Sequence, residues 1–480
     1  MPGVAGPTLL SLEQAVALTL RHNFAWQISA LEPEIAREAL AAEEAAFDTE
    51  LFASARVAQS DPDSVLSTAT AGRTDSRAYQ AGARKRLATG ATVTAQTNLD
   101  RFDSRAGGGA GSLSQTADLA LSLRQPLLSG FGPEVNRAGI ERARAGLSAS
   151  QEALRETVLA VLAETERAYW ETARLQEQLL LNQSSLNVAE ALLDEARERA
   201  RVGVATQVDV LQAEAARAQR VEEIIETSRA LGDAFDRLFA LTGTLDQQSR
   251  LALEEAFQVA PLPDGGEALP DFERVWRLAL LRDPALGRQE ALITQREWDR
   301  TVARSALRPN LDLVLTGAWS GVDDDKARTA YDRAIEGEGA AWAAGVEFSM
   351  PWGRRAGHAG LRAADRRIEQ ELIRLEELRQ ALFRNVRSAW RALQSVQKSM
   401  AAARLTVSLQ EAVFEREQEK YAQGLSAFRD VLRAQSDLDQ ARIRLLQSKF
   451  NQLSSEIALA RLSGDLLGRH GLGSLIPQAE

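Results

Sequence analysis

Val202-Gly203-Val204-Ala205-Thr206-Gln207-Val208-Asp209-Val210-Leu211-Gln212-Ala213 has a counterpart later in the chain, Tyr421-Ala422-Gln423-Gly424-Leu425-Ser426-Ala427-Phe428-Arg429-Asp430-Val431-Leu432-Arg433-Ala434. Gly203 falls on Gly424, Asp209-Val210-Leu211 on Asp430-Val431-Leu432, and Ala213 on Ala434, at an offset of about 221 residues. Each glycine suits the left-handed backbone that stops a helix, and a returning helix follows it. The two turns are therefore tips of helical hairpins, and the segments on either side of them decide the fold.

Upstream of each tip, apolar residues recur every seven positions. Ile140, Leu147, Leu154, Val161, Ala168 and Leu175 form one seam; Leu361, Ile368, Leu375, Leu382, Ala389, Val396 and Ala403 form its counterpart. A second seam runs beside each, through Val158, Leu179 and Leu193 and through Val386, Leu393 and Tyr421. Two seams held over so many heptads predict left-handed coiled-coil packing. The first rod, residues 135–202, is on the order of 100 Å long at 1.5 Å per residue. Downstream of the tips, the returning helices over 206–241 and 427–462 are about half that length. The missing half matches an opening helix of about 35 residues in each copy, over 11–46 and 271–306, with Ser11 or Asp271 as N-cap. One long helix beside two short ones stacked end to end predicts a cylinder wall.

The duplication extends over the chain: 12–54 aligns with 272–314 at an offset of about 260, and Leu241-Thr242-Gly243 falls on Leu462-Ser463-Gly464. Between opening helix and rod the period changes to two. Leu119, Leu121 and Leu123 alternate with Ala120, Ser122 and Arg124, and Val346, Phe348 and Met350 alternate with Gly345, Glu347 and Ser349. Such segments are strands with one apolar and one polar face, ended by Gln125-Pro126 and Met350-Pro351. The first copy carries an insert over 56–114, with Asp61-Pro62-Asp63 and the run Gly107-Gly108-Gly109-Ala110-Gly111. It offers four strand-like runs, near 51–59, 77–87, 91–99 and 115–124, with a hairpin turn at Ala88-Thr89-Gly90; how many join a barrel stays open. The organisation is a first repeat over 1–243 (strands within 50–125, long hairpin within 134–242) and a second over 271–464 (strands within 310–350, hairpin within 355–463). A linker over 244–270, with Pro261, Pro263, Gly265, Gly266 and Pro270, reads as a surface connection, and 465–480 is a tail. The fold class is mainly α with a β-barrel part.

Composition narrows the function. With 13 Pro and 5% aromatic residues among 480, long helices are favoured. A net charge of −10 argues against a nucleic-acid partner. Zero Cys removes disulfides, thiol catalysis, Cys-ligated zinc and a lipidated N-terminal Cys. No run of 18 apolar residues exists, so a bilayer is crossed only by a closed β-barrel. Met1-Pro2-Gly3-Val4-Ala5-Gly6-Pro7 shows neither a basic n-region nor an apolar h-region, so the chain is read as cytoplasmic or as a mature form. His22, His358 and His470 are isolated, and no nucleophile elbow or phosphate loop occurs, so neither an enzyme, a metal nor a cofactor is expected. Asp323-Asp324-Asp325 lacks the spacing of a calcium loop and reads as a solvated external loop. Trp319, Tyr331, Trp342 and Trp352 fit either an aromatic girdle or ordinary packing.

The two-fold repeat, the closing segment Arg124-Gln125-Pro126-Leu127-Leu128-Ser129-Gly130-Phe131-Gly132 and the paired hairpin motifs together resemble the TolC-like outer membrane efflux proteins. The resemblance covers about residues 10–467, and its specificity lies in the ordered combination occurring twice. It implies a homotrimer: a β-barrel of at least twelve strands in the outer membrane of a Gram-negative bacterium and a periplasmic tunnel of twelve helix columns. It also implies a passive exit duct for a tripartite efflux or type I secretion system, coupled through a periplasmic adaptor to an inner-membrane pump. By motif match, Val202, Gly203 and Val204, with Gly424, Leu425 and Ser426, dock the adaptor; as plain helix stops they need no such role. The resemblance puts Asp430 in the periplasmic gate, with Arg429, Arg433 and the repeat-mate Asp209 as further gate candidates. Arg433 stands where some relatives have a second acid, so salt bridges to Asp430 replace a double acidic ring. The bland alternative makes Asp209 and Asp430 partners of their helix dipoles. A soluble or periplasmic coiled-coil structural or adaptor protein is the alternative function.

Overall fold

The computed structural model describes residues 8–60, 73–105, 112–243, 257–265 and 268–472. The Asp61-Pro62-Asp63 turn, the glycine run at 107–111, the first half of the linker and the end of the tail lie outside the described residues. The chain divides into two compact units. One holds Met1–Pro33, Ser150–Arg288 and Leu375–Glu480; the other holds Glu34–Ala149 and Gln289–Arg374.

The second of these contains a six-stranded, wholly antiparallel sheet: β2 (Thr49–Ser60), β3 (Arg73–Arg86), β4 (Thr92–Arg105), β5 (Ser112–Pro126), β7 (Asn310–Asp323) and β8 (Gly339–Ser349). β1 (Thr8–Leu10) and β6 (Phe257–Val259) belong to the other unit. All four runs of the first copy are separate strands, longer than expected by a few residues at several ends. The register keeps the alternation in phase across the sheet. Leu123 pairs with Val93 and Leu315, and Leu315 with Ala344. One face is therefore lined by residues such as Leu119, Leu121, Leu313 and Trp342, the other by Ser122, Arg124, Asp312 and Glu347. On the polar face, Arg124 bridges Asp312 and Glu347 at 2.7 and 2.6 Å. Trp319 and Trp342, on the apolar face, are 39% and 84% exposed, which ordinary core packing does not produce.

Between β7 and β8 the expected external loop contains a helix, α8 (Ala327–Glu336). Asp323 opens this connection by accepting from the amides of Asp325 and Lys326 (3.0 and 2.8 Å). Ala330 and Ala334, one turn apart, bring the helix onto Gly321 so closely that a Cβ there would lie 2.1 Å from the Ala330 carbonyl oxygen. Tyr331, for which a girdle and ordinary packing were both open, accepts from the Thr97 hydroxyl at 3.0 Å.

The other unit is helical. It contains α1 (Leu12–His22), most of α4 (Ala138–Arg201), α5 (Gln207–Thr242), α6 (Phe272–Arg282), most of α9 (Arg355–Ala422), α10 (Phe428–Ser463) and α11 (Asp465–Arg469). The remaining helices are α2 (Phe24–Glu44), the single turn α3 (Pro133–Asn136) and α7 (Pro284–Ala306). The rods of 64 and 68 residues and returns of 36 each agree with the expected lengths. Among the described residues no helix is long and apolar enough to cross a membrane.

Two expectations are corrected. Each opening helix is two helices, broken at Asn23 and Asp283, whose backbones are extended (ψ 126° and 117°). The side chains act as N-caps for the next helix: Asn23 Oδ1 accepts from Trp26 N and Asp283 Oδ1 from Leu286 N, both at 3.0 Å. Pro284 enforces the second break, because proline disfavours helical backbone in the preceding residue. The linker, secondly, is not merely a surface connection. Its β6 (Phe257–Val259) pairs in parallel with β1 (Thr8–Leu10), and Val259 and Leu262 are buried beside Tyr169. The Tyr169 hydroxyl donates to Leu10 O and accepts from Ala260 N, both at 2.9 Å, fastening both strands to α4.

Candidate docking tips and gate

The hairpin tips lie in the helical unit and share one core. Leu192, Leu193 and Ala196 of α4 and Val210 and Ala213 of α5 pack with Tyr421, Phe428 and Val431 of the second hairpin. Arg199 reinforces this contact: its guanidinium lies 4.2 Å from the Tyr421 ring centroid, donates to Tyr421 O at 3.3 Å and pairs with Glu195 at 2.8 Å. Burial raises the Tyr421 phenol above its ordinary pKa, opposed by the nearby Arg199.

In the first tip, Gly203 turns the chain with φ +80° and the amides of Val204 and Ala205 return to Arg199 O. Thr206 and Asp209 then form a reciprocal capping box. Thr206 N and Oγ1 donate to Asp209 Oδ2 at 2.8 and 2.7 Å, while Asp209 N donates to Thr206 Oγ1 at 3.3 Å. Val202 and Val204 are 61% and 74% exposed.

The second tip makes the same turn with different chemistry. Gly424 has φ +75°, and Leu425 N donates to Lys420 O at 2.8 Å. Ser426 donates to Glu417 at 2.8 Å, and Lys420 pairs with the same carboxylate at 2.6 Å. Those two hydrogen bonds, from Lys420 first and then Ser426, hold Glu417 below the ordinary carboxylate range. The N-cap of α10 is Ala427, which supplies no side-chain acceptor. Asp430 occupies the position Asp209 holds in the first tip, and its carboxylate lies 3.6 Å from Arg429 Nε. Arg433 is exposed one turn further on. Leu425 is 73% exposed, matching Val204 across the repeat.

Beneath the tips is a polar layer that the sequence did not reveal. Asp439 of α10 is buried; it accepts from the Ser185 hydroxyl at 2.8 Å and lies 3.3 Å from Arg220, which also pairs with Glu223 at 2.7 Å. Gln435 donates to Ser185 O at 3.2 Å. Burial raises the Asp439 carboxyl pKa, opposed by Ser185 and Arg220. Ser185, Arg220 and Asp439 come from α4, α5 and α10, so this layer joins both hairpins. A charged residue on a long helix reads as solvated; only its position beside the apolar Leu438 and Ala441 hinted at burial.

Among known proteins, a profile of the outer membrane efflux proteins matches residues 66–244 and 275–465. The outer membrane efflux protein BepC of Brucella suis is 24% identical over 357 residues, 74% of each chain. The probable efflux pump outer membrane protein SepC of Pseudomonas putida is 26% identical over 320 residues, 66% of this chain and 63% of its own. Among solved structures, the outer-membrane channel OprN superposes with a TM-score of 0.71 at 18% identity, covering 94% of this chain and 89% of its own. The Campylobacter jejuni CmeC outer membrane channel gives 0.68 at 17% identity, covering 94% and 85%. At these identities the structural matches speak to the fold, which is that of the TolC-like channels. The alternative of a soluble or adaptor coiled coil gains nothing from them. The two matched stretches cover most of both halves of the sequence, and the chain belongs to the outer membrane efflux protein family, channels of the Gram-negative outer membrane.

Proposed function

We propose that three copies of this chain form the exit duct of a tripartite efflux pump, a passive conduit without a catalytic step. The observation that carries the reading is an open sheet with one apolar face and two edges, β2 and β8, that pair with no further strand among the described residues. Placed in lipid, such a sheet is stable only when its edges close, because an unpaired backbone group in hydrocarbon costs several kcal/mol. Further copies of the same chain are the natural source of the missing strands. The helices support the same assembly. Phe24, Ile28, Leu31 and Ile35 of α2 are 69%, 64%, 54% and 61% exposed at helical spacing, and Leu405, Leu409 and Val413 of α9 form a similar stripe.

The sequence is organised as two repeats, 1–243 and 271–464, joined by 244–270 and followed by the tail 465–480. Val202, Gly203, Val204, Gly424, Leu425 and Ser426 meet a periplasmic adaptor, and Asp430, Arg429, Arg433 and Asp209 line the gate. Relatives carry names that mention toluene and antibiotics, and the cargo assigned here is likewise small organic molecules. The test is chemical cross-linking of detergent-extracted protein followed by reconstitution into planar bilayers. A species of three times the chain mass with discrete conductance steps is expected; a detergent-independent monomer without conductance would overturn the reading.

A further inference from the structure

The resemblance implies at least twelve barrel strands in a trimer, four from each copy, whereas the sheet of this chain has six strands. The extra pair is the hairpin β3–β4, built from the insert. Either it crosses the membrane with the rest or it is an appendage outside the barrel.

The register decides between these. β3 pairs with β2 from Ser60↔Thr74 to Thr49↔Lys85, and β4 pairs with β5 from Ser104↔Ser112 to Thr92↔Arg124. β2 and β5 are nowhere paired with each other. Removing the hairpin from the membrane would strand two full ladders of backbone donors and acceptors in hydrocarbon.

The side chains agree. On the apolar face, the hairpin presents Tyr79, Ala81 and Ala83 on β3 and Val93, Ala95, Thr97 and Leu99 on β4, Thr97 donating to Tyr331 of α8, in register with Ala55, Ala53 and Leu51 of β2 and with Leu123, Leu121, Leu119 and Ala117 of β5. Arg77 and Lys85 bracket the β3 stretch on that face. Eight residues apart, they are separated by about 26 Å along the strand. At a tilt of about 40° this is roughly 20 Å of membrane height, close to the apolar band of such barrels, so both cations reach the interfaces, where charge is tolerated.

The turn of the hairpin is also locked to the strand-to-helix junction of β5. Gly132 N donates to Thr89 O at 3.1 Å, and Arg86 donates to Asn136 at 2.8 Å. Gly90, at φ +91°, fits so tightly that a Cβ would lie 2.4 Å from Gly130 O. A loose appendage needs none of these contacts.

We infer that β3 and β4 are membrane strands and that the assembled barrel has eighteen strands, closed where β8 of one copy meets β2 of the next. Six is even, so β8 and the incoming β2 run antiparallel, and their lengths of 11 and 12 residues match. The apolar face continues across the joint from Trp342 and Ala344 to Ala53 and Ala55. With strands about 4.8 Å apart and tilted about 40°, eighteen strands give a backbone radius of about 18 Å and twelve give about 12 Å. Equivalent backbone positions in three copies are then about 31 Å apart in the first barrel and about 21 Å in the second.

The inference rests on the trimeric reading, and the experiment separates the two. The chain has no Cys, so Leu121→Cys and Ser122→Cys each give one site for a spin label, on opposite faces of β5. Averaging the copy-to-copy distances from the adjacent outward and inward sites cancels the reach of the label. Pulsed dipolar measurements on each full-length variant in lipid vesicles should average about 31 Å. A cross-linked trimer with an average of about 21 Å would overturn the strand count alone. Absence of both the trimer and a defined distance would overturn the trimeric reading, and the strand count with it.

Discussion

The two hairpin tips are copies of one motif, yet they start their returning helices differently. The first has Thr206 and Asp209 locked in a reciprocal capping box; the second has Ala427, which caps nothing, and an Asp430 directed toward Arg429. A missing cap leaves orphan backbone amides to water and costs about 1 kcal/mol of local stability. Duplication thus kept the turn, through Gly203 and Gly424, while changing what holds it: the first tip is fastened by a capping box and the second by Ser426 and Lys420 on Glu417.

The largest expected effect comes from cutting what the tips share. Tyr421 packs in the common core and stacks on Arg199, so Tyr421→Ala should destabilise the second tip by about 3 kcal/mol. Amide exchange in the first turns of α10 would then accelerate by about 100-fold. Val202→Ala, at an exposed position, should change exchange by less than about twofold. If the two variants behave alike, the tips do not depend on a joint core.

Next in size is the cap. Thr206→Ala should lower protection at the start of α5 by about 1 kcal/mol, roughly fivefold in exchange. Ala427→Ser should raise it at the start of α10 by a similar or smaller amount, making the second tip resemble the first. A Ser at 427 without effect would mean that the second tip draws its order from elsewhere.

Asp439, beneath both tips, gives a pH test. Its folded-state pKa is raised, so between the ordinary carboxylate range and that raised value the folded chain holds a proton that the unfolded chain has released. Its contribution is therefore complete in acid and lost as pH rises through the raised pKa. Thermal midpoints of wild type should fall more across that window than those of Asp439→Asn, which keeps an acceptor for Ser185. Equal slopes would assign the pH dependence to other groups.

Much of this division was legible in the sequence. Heptad seams gave the rods and returns within a few residues, because a seven-residue repeat over so many turns has few other readings. The strand alternation and Gly90 gave the sheet. The breaks at Asn23 and Asp283 were written in an Asn and an Asp-Pro, but a continuous apolar pattern on either side outweighed them. Helix α8 escaped because ten residues beside an Asp run carry too little periodicity. At the site, Asp209 and Asp430 align as repeat-mates, and alignment cannot show that Thr206 engages the first while the second lies beside Arg429. Nor could spacing alone show that Arg199 reaches across to Tyr421 from the other repeat.

The smallest energetic change carries the sharpest functional contrast. The Arg429–Asp430 contact is exposed and worth about 1 kcal/mol or less, so Asp430→Ala should leave stability nearly unchanged. In planar bilayers, however, the proposed trimer would lose three negative charges around one axis, which should alter single-channel conductance or reduce cation preference. Asp209→Ala should cost more stability, about 1 kcal/mol, because it breaks a capping box, and should change conductance less than Asp430→Ala, because Thr206 already engages the Asp209 carboxylate. Matching conductance changes in the two variants would make the repeats functionally equivalent. Unchanged traces for Asp430→Ala would return that residue to the role of a helix-dipole partner. A change confined to Asp430→Ala would put the charge that the passing ions sense on the second hairpin rather than the first.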